Sequence, residues 1–120
     1  MGSEMNITVS TMVGKAPVTV IQINGHVDAA NVGEVEDRAT EAINSGATNL
    51  LLDMGKVSFM SSAGFRSLHK IYQALHPEGG SGHLKILNPS DEIGRLVKTL
   101  GFDNFVAILS GDVHQAVDSF

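Results

Sequence analysis

Apolar residues recur along the chain in two patterns, one typical of strands and the other of helices. Short aliphatic or β-branched runs bounded by turn residues predict five strands, at residues 7–13, 18–23, 50–53, 84–87 and 105–109. The turn residues Gly14 to Pro17 join the first two runs into an antiparallel hairpin. The run Leu50-Leu51-Leu52 has no polar alternation, as expected for a strand buried on both faces, and this strand is predicted to end at Asp53.

Spacings of three and four residues between apolar positions predict four helices. Their apolar faces are Val32/Val35/Ala39/Ala42/Ile43, Phe65/Leu68/Ile71/Tyr72/Leu75, Ile93/Leu96/Val97/Leu100 and Val113/Ala116/Val117/Phe120. The residues that predict the start and the end of each helix are Asn31 and Gly46 for the first helix, Ser61 or Ser62 and Pro77 for the second, and Asp91 and Gly101 for the third. Strands that alternate with helices predict an α/β domain whose later crossovers are right-handed and parallel.

The length and composition predict a single domain over residues 1–120. Of these 120 residues, 42% are hydrophobic and 18% are charged, which is typical of a globular protein. Residues 1–5 are expected to be disordered or added in cloning, and Met5 is the candidate natural start. The absence of cysteine excludes disulfides, thiolate zinc sites and cysteine nucleophiles.

The lack of a recognisable targeting signal and the net charge restrict the location and the classes of partner that we expect. The longest apolar runs are far shorter than the roughly 20 residues that span a bilayer, and the N-terminus lacks the basic and apolar regions of a signal peptide. We therefore expect a cytoplasmic protein. The net charge is −5, from 8 basic and 13 acidic side chains, and such a surface does not attract nucleic acid or anionic membrane. Neither is expected as a partner, and no residue pattern indicates a cofactor.

The stretch from Leu51 to Arg66 carries the candidate chemistry, because Ser61 and Ser62 open a helix directly after an apolar strand. A serine at this place is commonly a helix cap, whose hydroxyl accepts a hydrogen bond from a backbone N–H of the first turn. The same place also tolerates an anion, because free N–H groups and the positive end of the helix dipole gather there. Phosphorylation would add a charge of about −1.5 to −2. The local pattern leaves both interpretations open.

A serine hydrolase and a histidine metal site are two alternative interpretations with less support in the sequence. A serine hydrolase of the Gly-x-Ser-x-Gly type needs glycine where Met60 stands, although Gly64 fits, and no ordered base and acid follow. A metal site from His69, His76 and His83 is not expected, because the last histidine lies beyond a glycine-rich loop. We therefore predict that the protein is not an enzyme and holds no metal.

Several segments in order resemble a known family. The run Val-Ser-Phe-Met-Ser-Ser-Ala-Gly-Phe-Arg-Ser-Leu at residues 57–68 resembles the signature of STAS domains in bacterial anti-sigma factor antagonists. Upstream, Asn24-Gly25-His26-Val27-Asp28 resembles the Gly-Glu-Leu-Asp turn of that family. Downstream, residues 87–90 and the helix that ends at residues 100–102 resemble its closing half. The resemblance covers nearly the whole chain.

The resemblance implies a single STAS-type domain, with a mixed sheet of about five strands, an N-terminal hairpin and about four helices. It also implies partner switching: the unphosphorylated antagonist binds an anti-sigma factor that is a serine kinase, phosphorylation releases it, and a serine phosphatase resets the cycle. By position, Ser62 matches the phosphoacceptor, with Ser61 as the alternative. A monomer is expected. The rival interpretation is a non-enzymatic STAS scaffold or transport-accessory module that phosphorylation does not regulate.

The resemblance also implies a partner-binding surface at the start of the second helix. Asp28 is expected to lie beside the phosphoacceptor, at the end of the domain that faces the partner. The implied partner-binding residues are Asp28, Ser61, Ser62, Ala63, Gly64 and Arg66. Three of them depart from the common family pattern, because Ser61 replaces aspartate, Ala63 replaces serine or threonine, and Arg66 replaces glycine.

Overall fold

The computed structural model describes residues 5–75 and 82–120. Within these residues, five strands form one sheet in the order β1-β2-β3-β4-β5: β1 (Asn6–Val13), β2 (Pro17–Val27), β3 (Asn49–Met60), β4 (His83–Leu87) and β5 (Ala107–Leu109). The first pair is antiparallel, and the other three pairs are parallel. The sheet is therefore mixed, and the predicted N-terminal hairpin is confirmed.

In the described part of the chain, four α-helices and one short 3-10 turn cover the sheet. They are α1 (Val32–Asn44), α2 (Ser62–Leu75), α3 (Asp91–Thr99), the 3-10 turn Phe102–Asn104 and α4 (Val113–Asp118). Buried residues of α1, α2 and α3 belong to one hydrophobic cluster on one face of the sheet, and those of α4 belong to a second cluster on the other face. The predicted α/β fold class is confirmed.

Successive side chains of the central strands point alternately into these two clusters. Leu50 and Leu52 belong to the larger cluster and Leu51 to the smaller one, and all three are at most 1% exposed. Each such side chain contributes roughly 1.5–3 kcal/mol of hydrophobic stabilisation when it is fully buried. The prediction of a strand buried on both faces is confirmed. The two candidate serines follow directly after the carboxyl end of this strand.

Residues near both ends of the described chain make defined contacts. Met5 packs in the larger core cluster, so it is not disordered. At the other end, Lys85 Nζ donates a hydrogen bond to the carbonyl oxygen of Ser119 over 2.7 Å and lies 4.6 Å from the ring centre of Phe120. Desolvation by burial lowers the pKa of Lys85. The expectations about residues 1–4, His76, Pro77 and the loop of residues 78–81 lie outside the described residues.

The two central strands are longer than the sequence predicts. β3 does not end at Asp53 but continues to Met60, and residues 24–27 continue β2 instead of forming a turn. The two extensions pair with each other across register shifts between Gln22 and Asn24 and between Gly25 and His26. Gly25 has a φ of 117°, which lets the strand bend there and continue. The bulges break the alternation that a sequence pattern needs, so the extensions escaped prediction.

Three predictions around α3 and β5 are wrong in detail. Ser90, not Asp91, caps α3, because its Oγ accepts a hydrogen bond from the backbone N–H of Ile93 over 3.2 Å. β5 begins only at Ala107, because the preceding residues form and close the 3-10 turn. Leu96 and Leu100 do not face inward but are 40% and 51% exposed. The inward stripe consists of Ile93 and Val97 alone, and the pair Leu96/Leu100 is centred about 60° around the helix from it.

Candidate functional site

The carboxyl ends of β2 and β3 bring the two predicted functional segments to one edge of the sheet. Val27 is in register with Met60, and the backbone N–H of Ser61 donates a hydrogen bond to the carbonyl oxygen of Val27 over 2.9 Å. Asp28 and Ser61, which follow these strands, therefore lie at the same edge. This is the edge at which ligands and partners of parallel α/β sheets generally bind.

Asp28 organises the loop that leads into α1. Its Oδ1 accepts hydrogen bonds from the backbone N–H groups of Ala30 and Asn31, over 2.9 and 3.2 Å. Its Oδ2 lies 3.2 Å from Nε2 of His26. Asp28 is half-buried, so its carboxylate both holds the loop and remains accessible at the surface.

Asn31 fixes the same loop from the inside. It is buried, its Oδ1 accepts a hydrogen bond from the backbone N–H of Asp28, and its Nδ2 donates one to the carbonyl oxygen of His26. Asn31 does stand at the predicted N-cap position, but its side chain makes no capping bond to α1. It instead ties the end of β2 to the start of the helix.

The two candidate serines differ in their surroundings. α2 begins at Ser62, and the carbonyl oxygen of Ser61 accepts hydrogen bonds from the N–H groups of Gly64 and Phe65. Ser62 is exposed. The Oγ of Ser61 is buried and has no hydrogen-bond partner among the described residues, so it does not cap the helix. The accessible hydroxyl at this helix start is therefore that of Ser62.

Ser61→Ala is expected to leave the free energy of unfolding unchanged or to raise it by up to about 1 kcal/mol, because the substitution removes a buried hydroxyl without a partner. Ser90→Ala is the matched control and should lower the free energy of unfolding by about 1 kcal/mol, since Ser90 caps α3. Urea denaturation of both variants measures the difference. A loss of 1 kcal/mol or more in Ser61→Ala would show that its hydroxyl is bonded in solution.

An apolar groove of about 460 Å³ lies beside the start of α2. It is lined by Phe59, Met60, Ser61, Ser62, Phe65, Arg66, Leu96, Leu100 and Phe102. Phe59, Leu96 and Leu100 are three of the five large hydrophobic side chains that are exposed among the described residues. Their concentration in one groove is typical of a protein-binding surface, whereas scattered exposed apolar residues carry no such meaning.

Of the predicted partner-binding residues, Ser61, Ser62 and Arg66 line this groove, whereas Asp28, Ala63 and Gly64 do not. Ser62 and Arg66 are exposed, whereas Asp28, Ser61 and Ala63 are half-buried. Gly64 is buried, and a Cβ atom built on it would overlap Cγ of Met60 and lie 3.3 Å from Cγ1 of Val27. Glycine at this position therefore lets α2 approach the ends of β2 and β3 closely.

Most of the groove could not be predicted from the sequence. The spacing of Leu96 and Leu100 predicts that they belong to the core stripe of α3, and no pattern indicates a role for Phe59 or Phe102. The apolar residues of α3 fall at i, i+3, i+4 and i+7, which is the ordinary pattern of a core-facing stripe. The sequence therefore carries no signal that Leu96 and Leu100 are exposed.

The described residues offer no metal cluster. In residues 5–75 and 82–120, no three histidine, aspartate or glutamate side chains gather closely enough to hold a metal ion. His69 instead lies in an aromatic group, with ring centres 6.2 Å from Phe102 and 5.7 Å from Phe105. Across the described part of the chain, no helix has the length and apolar character needed to cross a membrane.

Comparisons with known proteins agree with this architecture. An anti-sigma-B factor antagonist of Staphylococcus aureus is 28% identical over 91 residues, which cover 76% of this chain and 82% of that protein. The structure of the anti-sigma factor antagonist SpoIIAA in its unphosphorylated form has a TM-score of 0.75 at 20% identity, covering 95% of this chain and 96% of that one. The Bacillus protein SpoIIAA in its phosphorylated form also has a TM-score of 0.75 at 20% identity, with 95% and 98% covered. Residues 10–118 match the family model for the STAS domain, and the chain belongs to the STAS domain family.

Proposed function

We propose that this protein is an anti-sigma factor antagonist that binds an anti-sigma factor serine kinase when unmodified and is released when Ser62 is phosphorylated. The observation that carries the proposal is the exposed Ser62 at the rim of an apolar groove in a STAS domain. The similarity of the chain to an anti-sigma-B factor antagonist of Staphylococcus aureus and to SpoIIAA, which is known in a phosphorylated form, supports it. A serine phosphatase would restore the unmodified state, and the protein would act in the cytoplasm as a monomeric, non-enzymatic regulator.

Accessibility favours Ser62 over Ser61 as the acceptor. A kinase must bring the γ-phosphate of ATP in line with the hydroxyl oxygen that attacks it. Ser62 is exposed, whereas the hydroxyl of Ser61 is buried. Phosphorylating Ser61 would require the first turn of α2 to open, but phosphorylating Ser62 would not. The start of the helix also favours an added anion electrostatically, so the fold is expected to persist after modification.

The groove explains how one phosphate could release a partner. An apolar segment of the kinase that fills the groove would remove water from its rim, where Ser62 lies. Removing water from a phosphate that carries a charge of about −1.5 to −2 would be strongly unfavourable. A 100-fold loss of affinity requires only about 2.7 kcal/mol. Asp28, at the same edge of the sheet, is placed to extend the contact beyond the groove.

The experiment is a phosphorylation assay with site mapping. The purified chain is incubated with ATP and an anti-sigma factor kinase that binds it, and the products are mapped by mass spectrometry. We expect one phosphate, on Ser62, in both the wild-type protein and Ser61→Ala. Ser62→Ala should remain unphosphorylated and still bind the kinase. Phosphate on Ser61 alone would contradict the assignment, and binding without any phosphorylation would favour a STAS scaffold instead.

A further inference from the structure

Arg66 follows Ser62 by four residues on α2, and both side chains line the groove. Residues at this spacing on a helix are surface neighbours whose Cβ atoms lie about 5–6 Å apart. Both residues are exposed. A charged group added to Ser62 would therefore meet the guanidinium of Arg66 without any change in the helix.

The guanidinium of Arg66 is free to take a new partner. The other cation of α2, Lys70, has its Nζ 3.8 Å from Oε2 of Glu36. Arg66 forms no ion pair within the described residues. It is also the one charged residue among the described residues that line the groove. The unmodified groove therefore presents an apolar surface with the unpaired cation of Arg66 at its rim.

We propose that phosphate on Ser62 is captured by Arg66 within α2, so that modification both adds an anion and removes the cation of the groove. The guanidinium fork matches two phosphate oxygens, which a lysine ammonium cannot do. Rim charge changes from +1 to about −0.5 to −1, given a phosphate charge of about −1.5 to −2. A partner that presents a carboxylate to Arg66 would lose its counter-charge and meet an anion in the same step. This inference rests on the proposed function for the place of the modification.

The test installs phosphoserine at position 62 during translation, so it needs no kinase. The second pKa of the phosphate is then measured by ³¹P NMR titration. A nearby cation favours the dianion and lowers this pKa. We expect Arg66→Gln to raise the pKa by roughly 0.3 to 0.6 pH unit relative to the unsubstituted phosphoprotein. Arg66→Lys should retain part of the effect, because it keeps the charge without the fork.

Arg95→Gln is the matched control, since Arg95 is an exposed arginine on α3 that lines a different pocket. It should leave the phosphate pKa unchanged. The difference caused by Arg66→Gln should also shrink in 1 M salt, where the Debye length falls to about 3 Å. Equal pKa values with and without Arg66 would overturn the proposal. Because the phosphate is installed directly, failure of a kinase to modify Ser62 would count against the proposed function and not against this pairing.

Discussion

Leu100→Asp is expected to weaken binding to the proposed partner, an anti-sigma factor kinase, about 30- to 100-fold, which corresponds to about 2–2.7 kcal/mol. The side chain of Leu100 is 51% exposed and lines the groove. A carboxylate at this position would have to lose its water when an apolar segment of the partner docks. The folded chain itself should tolerate the change, because the substituted side chain can remain hydrated in the free protein.

Val13→Asp provides the matched control. Val13 is 76% exposed and pairs with Pro17, at the end of β2 opposite to the groove. It should therefore leave the affinity unchanged while introducing the same carboxylate. Isothermal titration calorimetry gives both dissociation constants, and thermal unfolding checks that both variants fold. If Leu100→Asp and Val13→Asp bind the kinase equally well, the groove is not the docking surface.

The fold could be predicted well where each element has a single, regular apolar pattern. The stripe of Phe65, Leu68 and Ile71 predicts α2, and the structure confirms it. The run Leu50–Leu52 predicts a strand buried on both faces, which is also confirmed. In both cases one periodicity suffices, because the element is packed uniformly along its length.

The extensions of β2 and β3 could not be predicted, because partner strands and bulges determine them. Residues 24–27 and 54–60 pair with one another across register shifts, so neither segment keeps a period of two. Gly25 and Gly55 fall within these segments, and glycine in a short sequence window indicates a turn as readily as a bulge. The ladder is a tertiary property of two segments that lie far apart in sequence.

The sequence predicts where the two candidate serines lie, at the start of α2. It does not predict which of the two hydroxyls, at Ser61 or at Ser62, is exposed. The difference in exposure between the two serines comes from packing at the ends of β2 and β3. There the backbone hydrogen bond from Ser61 to Val27 draws Ser61 inward. Exposure of a side chain at a helix start depends on such contacts, which a linear pattern does not contain.

Gly64→Ala is expected to lower the free energy of unfolding by about 1–3 kcal/mol, the usual cost of overpacking a well-packed core. Its added Cβ would overlap Cγ of Met60 and crowd Cγ1 of Val27, and both neighbours are buried. For most helical positions the same substitution stabilises, because alanine has the higher helix propensity. Urea denaturation measures the loss.

Gly33→Ala, in the first turn of α1, is the control, because Gly33 is exposed and has nothing within 4 Å of its added Cβ. It should raise the free energy of unfolding by about 0.5–1 kcal/mol. If the loss in Gly64→Ala comes from the clash, adding Met60→Ala should cost less than the sum of the two single losses. Additive losses would instead assign the effect to the backbone of α2. The clash also predicts weaker kinase binding in Gly64→Ala, because the first turn of α2 carries Ser62 and one wall of the groove.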